Sequence, residues 1–356
     1  MHETYIIGEI GQNHNGSVDI AKRLIDIASM PVIDDSGKIY RSMDAIKLQK
    51  RDLQEELTAS EMAKHYHSLH SFGKTYGEHR AFLELSNEQH KELYDYAKSR
   101  AIDVVETICS PGAMSLLKYF TPARLKVASR DLTHLPLLQA MAETKIPMIL
   151  STGMAGDEEL EQALDTITKY HSNITILHCL SQYPAQFHNI NLHTVTYLQN
   201  KYPQYTIGYS DHTVGIMMPV AAVALGARVI EKHITLNRGM KGSDQAGSLA
   251  PDGIFRMMRD IRHLEESLGE PIMNKKTAAE GARLKLERSI AAKRDLKIGD
   301  VITEADIHLL SPGTGLRWSE RSKVVGQYAR AAIKKDELIL VEYVTQPQGV
   351  QHRVEV

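Results

Sequence analysis

Short apolar runs of β-like composition alternate along this chain with stretches in which apolar residues recur at helical spacing, and that alternation limits the possible folds more than any other feature. The runs lie at 5–8, 45–48, 103–107, 124–127, 147–150, 174–178, 205–208 and 227–231, and helical patterns include 18–30, 87–100, 136–144, 156–170 and 217–225. Strands separated by helices pack as a parallel sheet, which either closes into a (β/α)8 barrel or stays open and doubly wound. Polar residues decide between the two. Gly8-Glu9-Ile10-Gly11-Gln12-Asn13-His14-Asn15-Gly16, Lys47-Leu48-Gln49, Lys126-Val127-Ala128-Ser129, Ser151-Thr152-Gly153-Met154, Ser210-Asp211-His212-Thr213 and Glu231-Lys232-His233 each come at the end of such a run. An open sheet gathers its site at one switch point, whereas a barrel gathers it from the C-terminal ends of all its strands. The pattern predicts an α/β protein with a (β/α)8 barrel, and an enzyme.

The chain has 356 residues, which exceeds the roughly 250 that such a barrel needs. We place the barrel at 1–276, a linker at 277–286, a small domain of strands and turns at 287–345 and a frayed tail at 346–356. In the small domain Ser289-Ile290-Ala291-Ala292 is β-like, Ile298-Gly299-Asp300 and Lys335-Asp336-Glu337 are turns, and Thr303-Glu304-Ala305-Asp306 opens a short capped helix. Within the barrel, 50–85 is long for one βα connection and reads as an excursion over the mouth, a candidate lid, with Glu78-His79-Arg80 pairing internally on a surface loop.

Forty-two Lys plus Arg against 44 Asp plus Glu leave a net charge of −2, so no polyanion footprint exists and nucleic acid is not an expected partner. Cys109 and Cys179, the only cysteines, form no disulfide framework and read as buried fillers in a reduced, cytoplasmic protein. No apolar run approaches the roughly 18 residues of a membrane span, and the first residues lack the charged and apolar segments of an export signal.

His212 and His233 end neighbouring strands, and a pair of imidazoles suits a divalent metal with positions left open for water and a substrate oxygen. The chain has 17 histidines, so spacing alone leaves a chance pair open. Lys47, Lys126, Ser129, Ser151 and Ser210 carry the ammonium and hydroxyl donors that a small phosphorylated anion requires, although singly each also reads as a surface lysine or a turn residue. Glu9 and Asp131 offer carboxylates for proton transfer or for ordering a water, with helix capping as the plainer role.

Taken together, Gly8-Glu9-Ile10-Gly11 with Asn13-His14-Asn15-Gly16, Leu150-Ser151-Thr152-Gly153-Met154, His178-Cys179-Leu180-Ser181-Gln182-Tyr183-Pro184, Ser210-Asp211-His212-Thr213 and Glu231-Lys232-His233 closely resemble the sialic acid (N-acetylneuraminate) synthase family. The likeness covers almost the whole chain, with about 287–343 similar to the family's antifreeze-like (SAF) domain. It implies condensation of phosphoenolpyruvate with the open-chain aldehyde of an N-acylated hexosamine, giving a nine-carbon 2-keto acid and phosphate. N-acetylmannosamine is the first expectation for that sugar, and a diacetamido-dideoxy hexose leading to legionaminic or pseudaminic acid is the alternative. His212 and His233 then hold the metal, Mn2+ or Mg2+. Lys47, Thr107, Lys126, Ser129, Ser151, Ser181 and Ser210 fall on phosphoenolpyruvate-binding positions, Glu9 on the catalytic carboxylate, and Gln49, Tyr183 and Asp244 on sugar-binding positions. The resemblance also implies a domain-swapped homodimer.

Three departures bear on the sugar. Ser129-Arg130-Asp131 stands where the family usually has Ser-Gly-Glu, Ser181 where it has Asn, and Ser311-Pro312-Gly313 where it has Arg-Pro-Gly, which leaves Arg317 as the nearby substitute. Two rivals remain. A related synthase acting on a phosphorylated aldose would need an additional cationic pocket, and a sugar-binding protein with a dead barrel would have no reason to keep Glu9, Lys47, Lys126, His212 and His233.

Overall fold

Each of the eight β-like runs forms a strand, and together they close. In a computed structural model describing residues 3–273 and 277–345, the strands are β1 Tyr5–Glu9, β2 Ala45–Lys50, β3 Asp103–Ile108, β4 Arg124–Val127, β5 Met148–Ser151, β6 Ile174–Cys179, β7 Thr206–Asp211 and β8 Val229–His233. All neighbours pair in parallel, and β1 bonds to both β2 and β8, which closes the barrel. That register puts Glu9 level with Lys47 on one side and with His233 on the other.

Helices wrap the outside. Val18–Ser29 is capped by the Ser17 side chain and buries Ala21, Leu24, Ile25 and Ala28, a stripe at helical spacing laid against the strands. Asn87–Ser99 starts at a Ser86/Gln89 capping box and buries Leu93 and Ala97. Leu135–Glu143, Asp157–Ile167 and Met217–Ala224 follow the expected pattern. Thr194–Lys201 and Pro251–Leu268 are further helices that the periodicity did not single out. Thr194 and Val195 are β-branched residues that blunt the helical signal of the first.

The interior of the barrel explains how a site can form. Ile7, Ala45, Val105, Ile149, Leu177 and Val229 pack together as a separate apolar layer inside the ring. Side chains alternate in and out along a strand, so the positions two residues further on face inward as well. Those positions are Glu9, Lys47, Thr107, Ser151, Cys179 and Glu231: an apolar plug gives way to a polar floor within one step of the pleat.

Several strands end later than their apolar runs suggest. Ser151, Ser210, Asp211 and His233 lie within β5, β7 and β8 rather than in the loops beyond. The ladder continues because polar side chains at the mouth need not break it. The excursion also differs from expectation. It holds the short helix Ala59–Met62 and then a helix at Tyr76–Leu83, so Glu78, His79 and Arg80 are helical. Thr75 and Glu78 form a capping box that starts this helix.

The chain divides into two compact units, Met1–Gly269 and Glu270–Val356. In the second, Ser289–Ala292 pairs antiparallel with Ile307–Leu310, and Tyr328–Ala329 with Val344–Thr345. Ile290, Leu296, Ile302, Ile307, Val324, Ile333 and Ile339 make its core. The stretch 277–286, expected as a linker, carries a 3-10 turn at Thr277–Ala279 and a helix at Glu280–Leu286. The expected frayed tail, 346–356, lies outside the described residues. Among the described residues, no helix is long and apolar enough to cross a membrane.

Candidate active site

The C-terminal ends of the strands surround a cavity of about 360 Å³. At its floor, Lys47 Nζ stands 2.8 Å from Glu9 Oε2 and 3.7 Å from Glu231 Oε1, and donates to Thr107 Oγ1 at 3.0 Å. Lys126 Nζ lies 2.7 Å from Glu231 Oε2, and Ser210 Oγ donates to Glu231 Oε1 at 3.0 Å. Gln49 Nε2 donates to the other oxygen of Glu9. Glu9, Glu231, Thr107 and Ser210 are buried, and each lysine is no more than 3% exposed. Burial alone would raise the Glu231 carboxyl, but Lys126 and Lys47 pull it down to about 2. Burial, reinforced by Lys47, lowers the Lys126 ammonium.

Hydroxyl donors line the arc from β4 to β7. Ser129 Oγ accepts from Gly153 N at 3.0 Å. A Cβ on Gly153 would come within 2.6 Å of Ser181 Oγ, 2.8 Å of Ser129 Oγ and 3.0 Å of Cys179 Sγ, so the absence of a side chain there is what lets the hydroxyls converge. Ser151 Oγ is buried without a hydrogen-bond partner among the described residues, although it lines the cavity. Such an atom calls for a ligand.

His212 and His233 meet on the opposite side. Their ring centroids are 5.6 Å apart at 45°, and the Tyr183 ring lies 4.1 Å from that of His212. His212 Nδ1 bonds to Leu180 O at 2.8 Å, which leaves Nε2 as the atom for a ligand; burial, then His233, push the imidazole down to about 4, so it is neutral near pH 7. His233 Nδ1 is buried and has no hydrogen-bond partner among the described residues. Beneath them Asp211 accepts from Tyr209, Thr213 and Lys232 and ties β7 to β8. Among the described residues no group of three His, Cys, Asp or Glu is placed to hold a metal. The two imidazoles, one with an orphaned nitrogen, fit a cation whose other positions are filled by substrate oxygens and water.

Most of the expected site residues line this cavity, including Tyr183 and Asp244 at the rim. Asp131 does not. Its carboxylate turns toward Arg130 Nε at 3.4 Å, in the 3-10 turn Ser129–Asp131 that follows β4. Arg317 belongs to the second unit, where its Nε pairs with Glu287 at 3.2 Å. Asn13 and His14 are structural: Asn13 Nδ2 donates to Ile234 O and Ser248 Oγ, and His14 Nδ1 accepts from Gly16 N. Both cysteines are buried as expected and also face the cavity.

Sequence reasoning missed Glu231, Gln12, Arg51, Arg80 and Arg130 as lining residues. The signal for Glu231 was present, since it lies two residues before His233 and faces inward with it. The arginines carried no such signal, because Arg51 and Arg80 reach the mouth through the long excursion.

Comparison with known proteins agrees with this geometry. Residues 38–273 match the NeuB family and residues 287–342 the SAF domain. The chain is 34% identical to the N-acetylneuraminate-9-phosphate synthase of Homo sapiens, over 97% of this chain and 93% of that one. It is 35% identical to the N,N'-diacetyllegionaminic acid synthase of Legionella pneumophila, over 96% and 94%. A crystal structure of the N-acetylneuraminic acid synthetase from Leptospira borgpetersenii in complex with citrate superposes with a TM-score of 0.66 at 29% identity, covering 79% of this chain and 90% of that one. A closed barrel with a polar, cation-bearing mouth, matched over most of its length, makes this chain a member of the NeuB family, the nonulosonate synthases.

Proposed function

We propose that this protein condenses phosphoenolpyruvate with the open-chain aldehyde of an N-acylated hexosamine, and that water completes the reaction to a nine-carbon 2-keto sugar acid and phosphate. One observation carries the reading: Lys47, Lys126, Glu9, Glu231 and His233 face one another at the mouth of a single closed barrel. The relatives bear on it through their names, which are those of synthases of N-acetylneuraminate-9-phosphate and legionaminic acid.

Lys47, Lys126 and the hydroxyls of Thr107, Ser129, Ser151, Ser181 and Ser210 hold the enol phosphate and its carboxylate. Gln49, Tyr183 and Asp244 orient the sugar, with the aldehyde toward His212 and His233. A divalent cation bound there, manganese or magnesium, supplies Lewis-acid polarisation of the aldehyde oxygen. The methylene carbon of phosphoenolpyruvate bonds to the aldehyde carbon, water adds to the adjacent carbon, and the carbon–oxygen bond to phosphate then breaks. Glu9, fixed by Lys47 and Gln49, takes the proton released by the water. Fixed cationic and hydroxyl donors stabilise the phosphate-bearing tetrahedral intermediate. The homodimer with exchanged SAF domains, Arg317 as a sugar contact and a cytoplasmic setting belong to the same proposal.

The test is a panel of N-acylated hexosamines offered with phosphoenolpyruvate and Mn2+, read by product mass and phosphate release. The proposal expects keto acid and phosphate in equal amounts with at least one sugar. Phosphate release with no keto acid, or no reaction with any sugar, overturns it.

A further inference from the structure

Each of the two histidines that meet at the mouth follows, in the chain, one member of a buried ion pair. Asp211 precedes His212 and Lys232 precedes His233. The two are register partners across β7 and β8, and Lys232 Nζ lies 2.5 Å from Asp211 Oδ2, with both side chains 0% exposed. Neither lines the cavity that His212, Glu231 and His233 line. Side chains alternate along a strand, so the inward turn of Glu231 and His233 sends Lys232 the other way.

The pair is the centre of a clamp around His212. Asp211 Oδ1 accepts from the Tyr209 hydroxyl at 2.8 Å and from the Thr213 amide at 3.1 Å, and Oδ2 accepts from Thr213 Oγ1 at 2.9 Å. Lys232 Nζ donates to the carbonyl oxygen of Thr213 as well. The residues on either side of His212 are therefore bound to each other, and both are bound to the residue that precedes His233. Nδ1 of His233 has no partner among the described residues to steer the ring, so its place follows from its backbone. A buried ion pair adds little net stability over apolar residues of the same size. Apolar packing is non-directional, however, whereas hydrogen bonds to a carboxylate fix distance and angle.

We propose that Asp211 and Lys232 are positioning residues of the metal site: their ion pair sets the distance and angle between His212 and His233, so that one cation is held by both imidazoles at once. The inference rests on the reading of these histidines as metal ligands and adds to it the groups that hold them in register. Neither Asp211 nor Lys232 touches the cation or the substrates in this scheme. Both act through the histidine that follows them.

The experiment titrates Mn2+ into the metal-free full-length chain, followed by electron paramagnetic resonance, for the wild type, the double variant Asp211→Asn with Lys232→Met, and Thr213→Val. The double variant removes both charges, so no unpaired charge is left buried and the barrel keeps its fold. Thr213→Val removes only one hydroxyl from Asp211. Mn2+ affinity is expected to fall at least about tenfold in the double variant, the usual effect of losing a group that orients a metal ligand, and about threefold in Thr213→Val. The spin-echo modulation from two imidazole nitrogens in the wild type should weaken in parallel. Affinity for phosphoenolpyruvate, measured by calorimetry without metal, should stay unchanged. Wild-type Mn2+ affinity and modulation in both variants overturn the positioning role and leave the metal reading standing. Equal losses of Mn2+ and phosphoenolpyruvate affinity also overturn it and make the pair a general support of the barrel. No Mn2+ bound by the wild type rejects the metal reading and this inference together.

Discussion

At the scale of single residues, the site depends on a few side chains with no slack. Glu231 is the hub of the floor, joined to Lys126, Lys47 and Ser210. In Glu231→Gln the two ammonium groups lose a buried counter-charge, and removing one partner of such a network costs about 3 kcal/mol. Denaturant unfolding of the barrel is expected to show a loss of that size, with a raised KM for phosphoenolpyruvate in the remaining active protein. Gly153→Ala makes a different demand. Its methyl would collide with Ser129 Oγ and Ser181 Oγ, and displacement of those hydroxyls by about 1 Å is expected to cost on the order of a hundredfold in kcat/KM. The far-UV circular dichroism of that variant should match the wild type. Glu9, Lys47 and Lys126 were readable as site residues because each lies at the end of a β-like run. Arg51 and Arg130 were not, because their common partner Glu56 lies in the long excursion and nothing local announces the contact.

At the scale of elements, the number and order of strands were legible because alternation of β-like and helical periods leaves few topologies. Strand ends were not. Ser151, Ser210 and His233 look like turn or loop residues when composition is read alone, yet inward positions at a barrel mouth are where polar groups belong, and the ladder runs through them. The helix at Tyr76–Leu83 hid for a related reason, since its capping box lay inside a stretch read as irregular. A testable element is the capped turn of the second unit. Thr303 donates its hydroxyl and its backbone N–H to Asp306, and with help from Arg294 this holds the Asp306 carboxyl well below the ordinary aspartate range, at about 2. A carboxyl whose folded value is depressed contributes stability that is fully present above the unfolded value, near ~4. That contribution is lost as pH falls from there through 2. Trp318, the only tryptophan in the chain, lies in this unit and reports its unfolding. The midpoint followed by its fluorescence should fall between pH 4 and pH 2 in the wild type and fall less in Asp306→Asn.

At the scale of the whole molecule, the proposed chemistry lies in the barrel unit, and the proposed homodimer would bring an SAF unit to it from another copy. That predicts complementation. His233→Ala and Arg317→Ala chains, each inactive alone, should regain keto-acid synthesis when unfolded together and refolded as mixed dimers, because one barrel then pairs with an intact SAF unit. No recovery in a sample shown to contain mixed dimers counts against exchange of the domains. The account as a whole rests on two imidazoles holding one cation beside an enol-phosphate pocket, and Mn2+ titration followed by electron paramagnetic resonance, run in parallel with turnover, tests it most directly. The wild type is expected to bind one Mn2+ per chain, while His233→Ala, with an unchanged circular dichroism spectrum, loses at least about tenfold in affinity and loses keto-acid formation with it. Equal Mn2+ affinity and equal turnover in that variant would contradict the account.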